Sequence, residues 1–171
     1  MYPKLPDIRQ QDWQAEWQNR VSCGEGVLEC IWTYFDVKIR PVPVTPIDGV
    51  GPDTLEACLW HSGLRVQAGS MTLDDLAYHT KSGRPVICLV TEPEEVGHWV
   101  VVQRVKVRYV KRKNGKTAKV RYLKFQCPSL GPVWESAVTF VRRWHDNTHR
   151  RGLIYKHWGI AVFKDKVPAS A

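Results

Sequence analysis

The sequence predicts an α+β fold. Apolar residues at helical spacing dominate its first half, and apolar runs of strand length with an Asn-Gly hairpin dominate its second. No internal repeat, low-complexity stretch or interdomain linker interrupts the 171 residues. The expected organisation is therefore one domain over 1–171, preceded within it by an N-terminal arm over 1–17.

Each element has its own local warrant. Residues 1–20 are polar with scattered Trp13 and Trp17, which suits an arm with at most one short helix. From Cys23, the positions Val27, Leu28, Ile31, Trp32 and Phe35 repeat at helical spacing and predict about four turns. Ser22 is a good N-cap and Glu25 follows three residues later, a capping box that puts Cys23 in the first turn. Pro41, Pro43 and Pro46 force an extended crossing. Asp53 to Ser62 reads as a second helix stopped by Gly63, and Leu64 to Ala68 as a short strand. Thr72 caps a third helix to about Ser82, with Asp74 and Asp75 in its first turn and Gly83 at its end.

Arg84 to Val90 is an apolar run of strand length and predicts a central strand. Trp99 to Tyr109 and Lys119 to Gln126 form the arms of a hairpin around Asn114-Gly115. Helical spacing resumes at Val133, Ala137, Phe140, Val141 and Trp144, predicting a helix to Asp146. Tyr155 to Phe163 closes the chain as a strand. Trp32, Phe35, Phe140 and Trp144 read as core, as do Cys30, Cys58 and Cys88.

Composition narrows the function classes. No apolar run is long enough to span a bilayer, and Met1 to Asp7 carries no apolar signal core. Five cysteines, an odd number without paired spacing, point away from a disulfide framework and toward a reducing, cytoplasmic setting. No Cys-x-x-Cys occurs, and His145 and His149 sit about a helix end rather than a metal pair. The net charge of +8 is concentrated at 106–116 and 142–151. Without a recognised binding motif, the first cluster reads as a solvated hairpin rather than a nucleic-acid ribbon.

The chemistry gathers on Cys23. A thiol in the first turn of a helix meets backbone N–H donors and the positive end of the dipole, which favour the thiolate. Gly24 would let a substrate approach the helix start. His98, in Gly97-His98-Trp99-Val100-Val101-Val102, would supply an imidazolium for the thiolate and then protonate the leaving group. The Cys23 N–H and the Gln18 side-chain amide would stabilise the tetrahedral oxyanion.

Gln18-x-x-x-x-Cys23-Gly24, Gly83-x-Pro85-Val86-Ile87 and Gly97-His98-Trp99-Val100-Val101-Val102 together resemble the papain-like cysteine peptidases. The branch most resembled is the bacteriocin-processing, double-glycine leader peptidases, and the similarity spans roughly residues 14–145. It implies helices packed on a mostly antiparallel sheet, Cys23 as nucleophile, His98 as base and Gln18 as oxyanion donor. It also implies a peptide or protein substrate, cleavage after small residues, and no metal or organic cofactor. The departure is the third catalytic position. There the family's Asp-Pro appears as Cys127-Pro128, followed by Gly131, Trp134, Phe140 and Trp144. Gln126 is adjacent but on the opposite face of an unbulged strand. The readings are a cysteine hydrolase, an acyl-transferring variant, or a catalytically silent module that binds a peptide or protein. A nucleic-acid binder acting through the basic hairpin comes last.

Overall fold

The computed structural model describes residues 23–41, 50–91, 97–145 and 155–164. The arm, Gln18, Ser22, most of the proline-rich crossing, Asp146 and His149 lie outside them. Among the described residues, four helices pack on a six-stranded sheet: α1 (Cys23–Tyr34), α2 (Pro52–His61), α3 (Leu73–Lys81) and α4 (Ala137–Arg143). The strands are β1 (Arg65–Ser70), β2 (Val86–Thr91), β3 (Gly97–Lys111), β4 (Thr117–Cys127), β5 (Gly131–Ser136) and β6 (Trp158–Phe163). Their order is β1-β6-β2-β3-β4-β5, and every neighbouring pair is antiparallel. The predicted α+β architecture is present.

Strand alternation divides the core into two layers. Ile87, Leu89, Trp99, Val101, Ile160 and Val162 face α1 and α2, meeting Val27, Leu28, Ile31, Leu55 and Leu59. Val86, Cys88, Val90, Val100, Val102, Phe125 and Cys127 face the other way, onto Leu76 of α3 and Phe140 of α4. The sheet therefore carries helices on both faces. This explains why Arg84 to Val90 reads as a continuous apolar run: Val86 to Val90 are all buried. Phe140 and Trp144 are fully buried. Among the described residues, no helix is long and apolar enough to cross a membrane.

The local signals act as expected at α3. Thr72 accepts from the Asp75 N–H while the Asp75 carboxylate accepts from the Thr72 N–H at 2.7 Å, a closed capping box. Gly63 and Gly83 take positive φ just after α2 and α3. At the β3–β4 hairpin the Gly115 N–H donates to the Arg112 carbonyl, and Gly115 itself has φ +76°. That is a three-residue loop ending in a left-handed glycine, and the tip is exposed.

One expected helix is shorter than its spacing suggests. Residues 131–136 form β5, and only Ala137–Arg143 is helical. The free edge of β4 recruits Val133 and Trp134, residue types that suit an extended backbone. Ser136 then fixes the helix start, its Oγ accepting from the Thr139 N–H at 3.2 Å. His145 consequently lies past the helix, in a bridge with Lys156.

Candidate active site

Cys23 is the first residue of α1, half-buried at the start of the helix. Its position follows from two glycines. A Cβ on Gly24 would stand 2.6 Å from Val50 Cβ, and one on Gly26 would stand 3.1 Å from Pro128 Cβ. The expectation that Gly24 makes room for substrate is therefore corrected: Gly24 is buried, and Val50 fills the space above it. Val50 is held in turn by its carbonyl, which accepts from the Trp99 indole N–H at 2.8 Å. Gly26 brings α1 against the turn that follows Cys127, so both sulfur-bearing segments pack at the same end of the sheet.

β3 delivers the histidine. β4 pairs with β3 from Val101↔Gln126 onward, leaving His98 and Trp99 beyond the end of that ladder. The Trp99 backbone N–H there donates to Cys23 Sγ at 3.4 Å. One residue earlier, His98 is buried and its Nε2 stands 3.3 Å from Cys127 Sγ. The register explains this contact. Cys127 shares a face with Val100, and His98 lies two residues along that face, a diagonal neighbour within reach. Gln126 is buried on the opposite face, the α1 side. The thiol of Cys127, not the amide of Gln126, thus occupies the place beside the imidazole.

The electrostatics run against one expectation. Burial raises the Cys23 thiol above its ordinary pKa. The N–H groups of Trp99, Gly24 and Cys23 itself pull it down, and the nearby Cys127 adds a further push upward. The helix start does supply donors, but desolvation outweighs them. A thiolate at Cys23 therefore needs a nearby cation; His98 precedes Trp99 on β3, and its ring is in contact with Cys127.

Comparison with solved structures follows this geometry. The chain superposes on a double-glycine motif protease from an AMS/PCAT transporter, determined in complex with the leader peptide. The TM-score is 0.60 at 16% identity over 93% of this chain and 91% of that one. The peptidase domain of Streptococcus ComA, a bi-functional ABC transporter involved in a quorum-sensing pathway, gives 0.58 at 16% identity over 84% and 91%. The Streptococcus mutans ComA peptidase domain gives 0.56 at 15% over 92% and 99%. The chain shares the papain-like fold of these double-glycine peptidase domains. No protein-family model and no curated protein matches its sequence.

Of the three residues singled out from sequence, Cys23 meets the backbone of Trp99, the residue after His98, the His98 ring meets Cys127, and Gln18 lies outside the described residues. All five cysteines are free thiols. Among the described residues, no three His, Cys, Asp or Glu side chains group as metal ligands. Two contributors escaped the sequence reading. Val50 carries no local signal at all. Gly26 does: a second glycine inside the first turns of a helix costs stability unless something must come close.

Proposed function

We propose that the protein is a cysteine hydrolase of the double-glycine peptidase type, cleaving a peptide or isopeptide bond through a thioester. The observation that carries this reading is the Trp99 N–H on Cys23 Sγ with His98 next in the strand, its Nε2 on Cys127. His98 takes the Cys23 proton, and the thiolate attacks the scissile carbonyl. The C–N bond breaks as the imidazolium protonates the departing amine, and water then hydrolyses the Cys23 thioester. The Cys23 N–H and the Gln18 amide hold the oxyanion. An acceptor amine in place of water would make the same site an acyltransferase. The substrate is a peptide or protein whose residues before the bond are small, and the reaction uses no cofactor. The free thiols support a reducing, cytoplasmic setting.

Cys127 takes the positioning role that a carboxylate fills in the resembled family. As a thiolate accepting from Nε2–H, it holds the imidazole in the tautomer that deprotonates Cys23. As a thiol donating to Nε2, it favours the other tautomer, which does not. Activity is therefore lower than with an Asp. The test is cleavage of peptides containing paired small residues, followed by mass spectrometry of the Cys23 thioester. Turnover with an acyl-enzyme on Cys23, abolished in Cys23→Ala, is the expected result; cleavage that survives Cys23→Ala refutes it.

A second reading is favoured by Cys127 standing at the Asp position and by the upward shift of the Cys23 thiol. It is a silent module that binds a peptide or protein through the same cleft. Tight peptide binding with no thioester and no cleavage, in the wild type and in Cys127→Asp alike, selects it.

A further inference from the structure

The β3–β4–β5 ribbon has one face whose cations lack acids. Alternation along β4 puts Leu123, Phe125 and Cys127 on the α3–α4 side, hence Tyr122, Lys124 and Gln126 on the α1 side. Their cross-strand partners share that side: Arg104 opposite Lys124, Lys106 opposite Tyr122, Arg108 opposite Val120, and Trp134 opposite Lys124 on β5. On the other face, Arg121 pairs with Asp74 and Arg143 with Glu135. On the α1 face, Arg104, Lys106, Arg108 and Lys124 form no ion pair among the described residues.

Two of these cations, Lys106 and Arg108, are instead laid on rings. Arg108 stands 5.1 Å from the Trp134 ring centre and 5.5 Å from that of Tyr122, and Lys106 stands 5.7 Å from Trp134. Trp134 is 41% exposed, so the stack sits at the surface. Such stacking restrains the side chains, and a guanidinium stacked on a ring keeps its N–H edge available for a bidentate carboxylate.

We propose that this face is a docking surface for an acidic peptide segment, presented in extended form by the substrate of the peptidase site. The inference rests on the peptidase reading for that last point only. Arg104, Lys106 and Arg108 recur every second residue, about 7 Å apart, the same period as alternate carboxylates on an extended chain. A single-stranded nucleic acid is disfavoured by the same stacking. Binding of that kind stacks bases on open aromatic faces, and here the rings of Tyr122 and Trp134 already carry Arg108 and Lys106.

The test uses the full wild-type chain and a fluorescein-labelled peptide of alternating Glu and Thr, which contains no paired small-residue site. Its Gln–Thr analogue, a single-stranded DNA and an RNA of similar length serve as competitors. The Glu peptide binds, the Gln analogue binds at least tenfold more weakly, and affinity falls with salt. The double variant Lys106→Glu with Arg108→Glu loses at least tenfold. The equal charge change Lys111→Glu with Lys113→Glu, at the hairpin tip, loses less than threefold. Equal losses in the two pairs, tighter binding of either nucleic acid, or no salt-sensitive binding overturns the proposal. Because no step requires turnover, failure here leaves the cleavage assay intact, and failure of that assay leaves this binding result intact.

Discussion

From His98 to Val102, β3 is buried between two layers of helices, whereas from Arg104 to Lys111 it is almost wholly exposed, with only β4 beside it. A register shift between Val102 and Arg104 separates the halves. The buried half is over-determined. Val100 and Val102 must fit α3 and α4, Trp99 and Val101 must fit α1, and His98 is aimed by the neighbours it cannot avoid. Beyond Val105, which packs on the core, the exposed half is constrained by pairing, turn chemistry and the stacking of Lys106 and Arg108, so its side chains can carry charge. On the proposed readings, catalysis uses the half that packing dictates and recognition the half that it does not.

The comparison breaks first at His98. His98→Gln is expected to lower turnover by about 10²–10⁴-fold, while Tyr109→Ser on the exposed half leaves it within about twofold. Peptide cleavage kinetics read both; comparable losses would mean that β3 is not divided as described. Next comes stability. Val101→Ala should cost about 2 kcal/mol in urea unfolding, from lost burial plus the cavity. Val107→Ala, in the exposed half, should stay within about 0.5 kcal/mol.

Gly24 and Gly115 sharpen the contrast, since each half depends on a glycine for a different reason. Gly24→Ala drives a methyl into Val50, a strain of about 1–3 kcal/mol set against about 1 kcal/mol of helix propensity gained. Its signature is slower turnover with a modest loss of stability, because Val50 and Trp99 move with it. Gly115→Ala meets nothing in space but must adopt φ +76°, costing about 1 kcal/mol with turnover unchanged.

The smallest effect is a titration beneath the sheet. Burial, then the positive charge of Arg84, lowers the His79 pKa, with Asp75 opposing. The folded protein therefore binds that proton less readily than the unfolded chain. Stability is fully present above about pH 6.5 and falls as the pH drops below it toward the folded value. A thermal melt should lose stability between pH 7.5 and 5.5, and His79→Leu should flatten that slope. An unchanged slope in the variant would assign it elsewhere.

Much of this was legible in the sequence because it depends on local pattern. Val27, Leu28 and Ile31 announce α1, Thr72 and Asp75 announce α3, and Asn114-Gly115 announces the hairpin. The β5–α4 segment was not, since Val133, Ala137, Phe140 and Trp144 satisfy helical spacing whichever way residues 131–136 run. Only the open edge of β4 decides. Cys23 and His98 could be named from type and order, but not the sign of the Cys23 shift, which depends on burial by residues distant in sequence. Alternation already set Gln126 and Cys127 on opposite faces. Which of them met His98 required the β3–β4 register.

On the proposed reading, Cys23 owes its reactivity to His98, with Cys127 setting the imidazole. The most direct measurement is the rate of Cys23 alkylation by iodoacetamide from pH 5 to 10, located by mass spectrometry, in wild type, His98→Gln and Cys127→Asp. The proposed chemistry predicts alkylation well below pH 8 in the wild type. It predicts a faster low-pH plateau in Cys127→Asp, and in His98→Gln no reaction until the pH exceeds that of an ordinary thiol. Three superimposed curves that rise only at high pH would contradict it.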